Sequence, residues 1–472
     1  ADGRRGCDHR EGKVMNAPAH GRIAALSRWR ALLFGGLLLL APAVHQPAQA
    51  EAALPRIAVA RASSPVVIDG RLDDPAWNTA TPHSNFRALA ARGRETAPPE
   101  ETIFRVLFDG EALFLGIVCR EPQIGNLVAN AEGPDGRIWL DDSVEVLLQP
   151  TGRFYYQFGI NSRGTRFDAR MPVADDISEK EVAGGALWDG VWESAVSEGD
   201  GEWRIELRIP LATLDLGPES LPAWRLNIGR TAARRMEYSA WAPVEKGFHD
   251  LPRFGYLEGI VIDSARFPLD GSALAFPPLL LGRNEIQLSL PARQPGRFRA
   301  LTSLREWSPD GSATRQTAGE APVTGGKWSL AFPVPVTRAG VLYELGLEIQ
   351  DEVTNTPVLL RKHVFRAPDP FDASLDWMIS YGSDRTARAT MTLAVAESSA
   401  RGKVEVALWD GGAKPQQRIT RNVSKPGTLH VALPLAKLPD GFYRVEVSAT
   451  LADIGRLSKE LRFYKTSGPF DQ

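Results

Sequence analysis

Nearly every apolar stretch beyond residue 64 alternates with period two and stops at Gly, Pro, Asn or Asp, and no long run keeps helical spacing. A chain patterned this way can only bury its apolar side chains by pairing strands into sheets and laying sheet on sheet. The expected fold class is therefore all-β. The clearest strands are 102–108, 112–119, 143–148, 154–160, 203–209 and 224–228. Asp109 and Gly110 join the first two as a hairpin, because Asp-Gly accepts the positive φ of a tight turn. Short helical turns are expected only at 73–78, where Pro75 sits in the first turn, and at 211–214.

At 472 residues the chain is long enough for about three domains. Seven tryptophans fall within 65–260 and four within 261–472, so composition shifts near 261. Proline-rich breaks near 262–268 and 367–370 predict three separable β-sandwiches at 65–260, 264–367 and 370–466. The second and third, each about 100 residues with several short strands, are expected to be immunoglobulin-like.

Ahead of them, Arg22, Arg28 and Arg30 precede an apolar run from Ala31 to Ala43, and Ala48, Gln49 and Ala50 offer the small residues of a cleavage site. Residues 1–50 are expected to be upstream read-through and a signal peptide cleaved near Ala50, with Met15 the start. The apolar run is too short to span a bilayer, so no membrane span is expected after cleavage. The expected location is periplasmic or secreted. Removing residues 1–50 leaves 48 basic against 54 acidic side chains, which carries no footprint of a nucleic-acid binder. Cys119 then stands alone, and stability must come from cores rather than a disulfide.

A strand through 139–148 would place Trp139, Asp141, Ser143 and Glu145 on one face. An aromatic platform beside carboxylates suits a sugar ring, whose C–H face is apolar and whose hydroxyls need planar partners. Arg166, after the turn at 161–164, is a candidate fork of donors. Asp141 and Glu145 would lie about 13 Å apart, beyond the usual span of glycoside-hydrolysing carboxylate pairs. The standard hydrolase, phosphate-loop and dinucleotide motifs are missing, and the chain is not expected to be an enzyme.

Five phrases follow one another in order: 66–77 (VVIDGRLDDPAW), 139–146 (WLDDSVEV), 188–193 (WDGVWE), 203–210 (WRIELRIP) and 224–230 (WRLNIGR). Together they resemble the family 9 carbohydrate-binding modules and the DOMON-like sugar-binding sandwiches. The resemblance implies that Trp139 stacks on sugar, Glu145 accepts from hydroxyls, and Arg166 and Asn227 meet them. Where well-understood members carry a second tryptophan this chain has Arg230, which the resemblance makes a stacking plane or a partner for an acidic sugar. Trp77, Trp203 and Trp224 are expected in the core. Asp69, Asp73, Asp141 and Asp142 are candidate ligands of a structural Ca²⁺, with turn capping the alternative reading for each. The function expected is an exported, non-catalytic binder of poly- or oligosaccharide. The alternatives are an accessory part or partner of a glycoside hydrolase, and a scaffold module that docks a protein.

Overall fold

In the computed structural model, residues 53–89, 100–174, 184–307 and 315–468 are described. The expected signal peptide and cleavage site, within residues 1–50, lie outside them. Among the described residues alternation produces sheets throughout: 27 strands, with helical structure confined to short turns. Among the described residues no helix is long and apolar enough to cross a membrane.

The first sandwich begins with β1 (Arg56–Ala58), β2 (Ala60–Arg61) and β3 (Arg87–Ala88), then β4 (Thr102–Phe108), β5 (Ala112–Arg120), β6 (Ser143–Thr151) and β7 (Phe154–Asn161). It continues with β8 (Arg166–Pro172), β9 (Glu193–Gly199), β10 (Glu202–Pro210), β11 (Ser220–Ala232), β12 (Glu237–Ala240) and β13 (Gly255–Glu258). One sheet has the order β1-β13-β11-β6-β7-β8 with β12 and β3 attached, and the other β2-β4-β5-β10-β9. Between them lies a core in which Trp203 and Trp224 are fully buried. Trp77 closes a smaller cluster beside it, and Trp188, Trp192 and Trp241 are buried as well. Gly110, at φ 101°, makes the expected hairpin turn between β4 and β5.

The second sandwich sets β14 (Gly282–Pro291) and β17 (Lys327–Val336) against β15 (Arg297–Glu306), β16 (Arg315–Pro322), β18 (Leu342–Asp351) and β19 (Pro357–Arg366). The third comprises β20 (Phe371–Leu375), β21 (Ile379–Tyr381), β22 (Thr386–Leu393), β23 (Gly402–Trp409), β24 (Gln417–Val423), β25 (Gly427–Pro434), β26 (Gly441–Leu451) and β27 (Gly455–Thr466). Trp328 and Phe332 centre one core, Met391 and Val447 the other. Ser398 and Ser399 hydrogen-bond the backbone of Arg283 where second and third meet.

The junction of the first two sandwiches is more than a linker. Asp189 and Lys362 form an antiparallel bridge, and the buried Arg361 reaches into the first sandwich. Its guanidinium donates to Thr213 O at 2.9 Å and Asp215 Oδ1 at 2.7 Å and lies over the Trp188 ring. Asp215 also pairs with Arg170 and accepts from the Tyr156 hydroxyl at 3.2 Å. Breaking a buried ion pair leaves a desolvated charge behind, which costs about 3–5 kcal/mol. Arg361→Ala is accordingly expected to lower stability by about 3 kcal/mol, Arg170 retaining part of the charge balance. Calorimetry should show the melting of the first two sandwiches separating into two steps, and an unchanged melting profile would contradict this.

Candidate functional site

Strand register decides which predicted residues share a face. Glu145 on β6 pairs with Gly159 on β7 and Gly229 on β11, and Gly159 pairs with Phe167 on β8. Glu145, Gly159, Phe167 and Gly229 therefore point to the side of the sheet away from the inter-sheet core, as do Gln157 and Asn227 two residues along. The two glycines matter. A Cβ at Gly159 would fall 2.3 Å from Ile138 Cδ1, and one at Gly229 2.6 Å from the Phe248 ring. Without side chains there, the Ile138–Leu140 turn lies down on one flank of Glu145 and Phe248 on the other.

Side chains thus flank Glu145 on both sides of this face, an arrangement called here the slot. Trp139 stands on the first flank, 41% exposed, its ring edge-on to Phe167 at 5.4 Å. Phe248 and the half-exposed Tyr238, ring centroids 6.4 Å apart, stand on the second. At the base Glu145 is 5% exposed, and Gln157 Nε2 donates to its Oε2 at 2.5 Å. Burial pushes the Glu145 carboxyl up to about 7, against the partial counter-effect of the Gln157 amide. Gln157 is its hydrogen-bond donor among the described residues, so the group retains acceptor capacity toward whatever enters.

Several expectations need correction. The strand begins at Ser143 rather than Trp139, because 138–140 is a 3₁₀ turn, so Trp139 reaches the face from that turn and not by alternation. Asn227 is fully buried, with Nδ2 donating to Phe248 O at 3.0 Å and Oδ1 accepting from Ala242 N at 3.1 Å. It fixes the loop that carries Phe248 rather than meeting a ligand. Arg166, one position before Phe167, and Arg230, one position after Gly229, both point to the opposite side. Arg230 is 3% exposed, where it donates to Thr102 Oγ1 and Arg120 O and lies 3.8 Å from the Glu121 carboxylate. Arg166 donates to Trp192 O at 3.1 Å on the flank facing the second sandwich.

The four candidate calcium ligands do not converge. Asp141 accepts from the backbone N–H of Asn130 and Ala131 and from Asn161 Nδ2. Asp142 accepts from Val128 N and Ala233 N. N–H donors aimed at these oxygens occupy the positions a cation would need, so both aspartates act as loop clamps. Asp69 caps Arg71 N in its own turn, and Asp73 is exposed. Three other carboxylates, of Asp135, Asp168 and Asp189, approach within 4.8 Å of one another. Asp168 is already matched by Lys362 Nζ at 3.4 Å, Trp192 Nε1 and Gly190 N. Burial, then the neighbouring Asp168 and Asp189, push Asp135 up to about 7.

The carbohydrate family 9 binding domain-like family model matches residues 68–258. Those residues are a family 9 carbohydrate-binding-like domain. The match covers the whole slot, from Trp139 to Phe248. Among solved structures, a carbohydrate-binding candidate from Bacteroides uniformis is 20% identical, covering 43% of this chain and 99% of its own, with a TM-score of 0.34. A family 9 carbohydrate-binding module from Caldicellulosiruptor kristjanssonii, solved with glucose, is 17% identical over 43% of this chain and 94% of its own, TM-score 0.29. Escherichia coli alpha-2-macroglobulin in its native conformation is 10% identical over 82% of this chain and 32% of its own, TM-score 0.21. No curated protein matches the chain.

Within the family 9 domain, Trp139 and Glu145 are the sequence candidates that lie on this face, and Gln157, Phe167, Tyr238 and Phe248 join them there without having been candidates. Gly159 and Gly229, glycines inside strands, were the available signal, since a strand glycine marks close approach of another group. Phe248 lies in a turn-rich stretch with no periodicity to expose it.

Proposed function

We propose that the family 9 domain binds saccharide in this slot, stacked against Trp139 on one flank and Tyr238 and Phe248 on the other. The observation that carries this reading is the buried Glu145 carboxyl, held by a single side-chain donor between two aromatic walls. Sugar hydroxyls supply the donors it lacks, and ring C–H faces suit the aromatics. The role is binding without catalysis: Asp141 and Asp142, the carboxylates nearest along the chain, are spent on N–H donors and offer no second acid. The protein is exported through residues 1–50, and the later sandwiches serve as immunoglobulin-like spacers that present the domain, alone or beside a glycoside hydrolase.

A glycan array on the mature chain identifies the sugar, and calorimetric titration measures it. Trp139→Ala should weaken that binding at least about tenfold, or roughly 1.4 kcal/mol, with the melting temperature nearly unchanged because the ring is partly exposed. A variant that unfolds, or binds as tightly as the parent, contradicts the assignment.

A further inference from the structure

Strand β8 has two working sides. Phe167 backs the slot, while its chain neighbours Arg166 and Asp168 point the other way, into a groove between the first and second sandwiches. Two adjoining hollows of about 820 and 400 Å³ make up this groove and share Arg166, Arg305, Glu344 and Lys362. Its floor is the face of β15, β18 and β19 turned away from the second core. Ser303 pairs there with Gly346, and Gly346 with Lys362, so one row of the floor carries a hydroxyl, a glycine and an ammonium.

The lining excludes most occupants. Charges come in opposed sets, with Arg305 2.9 Å from Glu344 and Lys362 3.4 Å from Asp168, which favours neither a polyanion nor a cation. Donors and acceptors alternating at hydrogen-bonding distance, with Trp307 lining one hollow and Trp192 the other, suit a neutral polyhydroxylated ligand. Trp139 contacts Phe167, whose chain neighbours Arg166 and Asp168 line the groove, and the exposed Arg163 lines its larger hollow.

We propose that this inter-sandwich groove is a second saccharide subsite, so that the ligand is a glycan chain engaged by the first and second sandwiches together. The inference rests on the slot reading above. It gives the second sandwich a part in recognition, and it assigns to Arg166 a role at a different place from the one its motif implied.

Calorimetric titration of the full chain tests it, using glucose with its β-1,4- and α-1,4-linked oligomers, and xylose with its β-1,4-linked oligomers, each of two to six sugars. Affinity should rise at least about tenfold with chain length. Ser303→Trp, which fills the groove from its floor, and Arg163→Glu, on the exposed turn, should each abolish that rise while leaving the shortest ligand's affinity unchanged. Trp139→Ala should weaken every member. A flat length series, or a rise that survives both groove variants, overturns the groove and leaves the slot standing. Failure of the parent chain to bind any member counts against the slot, and against the groove that depends on it.

Discussion

Glu206→Ala should cost at least about 4 kcal/mol of folding stability, more than a core aliphatic truncation of similar size. Glu206 is fully buried on β10, and its carboxylate is the anchor of the first motif. It accepts from Asp69 N at 2.9 Å, Gly70 N at 2.7 Å, Leu72 N at 3.2 Å and Trp77 Nε1 at 2.9 Å. Hydrogen bonds to a charged group are worth about 1.5–3 kcal/mol each, and truncation would leave four donors with no acceptor in a site closed to water. The segment it holds is not relaxed: Gly70 has φ 85°, where a Cβ would meet the Val196 backbone, and Leu72 has φ 60°, sparsely populated for a leucine. Tertiary contacts must hold that turn in place, and Glu206 supplies them. Urea unfolding measures the loss. A change below about 1 kcal/mol would mean that packing of Trp77 alone fixes the segment.

Glu145→Gln should act in opposite directions on binding and on stability. In the free domain the buried carboxyl is raised from its ordinary 4.5 to about 7, so the folded state holds a proton that the unfolded state releases. That contribution is fully present below about pH 4.5 and is lost as pH rises through about 7, a swing of about 3 kcal/mol. A neutral glutamine of the same shape does not undergo it. The variant should therefore melt higher than the parent at pH 8 and close to it at pH 5. Saccharide binding should fall about a hundredfold at pH 8, since an amide replaces an anion that accepts two hydroxyls. The parent's affinity should itself weaken as pH drops below about 7, where the carboxyl protonates. Equal destabilisation of the variant at both pH values would instead make Glu145 a structural residue.

The strands were legible because alternation reports burial directly: β4, β5, β7 and β10 lie within a residue or two of the ranges that periodicity implies. The site was legible in part. Trp139 and Glu145 do share a face, but alternation from 139 to 145 was the wrong reason, since 138–140 turns before the strand starts. Arg166 and Arg230 show how sensitive a side-chain assignment is to parity: one position along β8 or β11 exchanges slot for core edge. Motif position fixes a residue in the chain, and only register fixes its face. Asn227 illustrates a different limit, because a side chain can hold a loop through the same donor and acceptor it would offer a sugar. The junction was invisible for a simpler reason. Arg361 and Asp215 are 146 residues apart, and no local pattern announces such a pair.

Everything functional here turns on where the sugar sits. A crystal structure of the protein soaked with the glycan selected on the array gives the answer directly. The slot account predicts a pyranose ring in van der Waals contact with the Trp139 indole, its hydroxyls donating to Glu145 and its other side toward Phe248 and Tyr238. Density for the sugar beside Arg230, or anywhere that leaves Trp139 and Glu145 untouched, would contradict it.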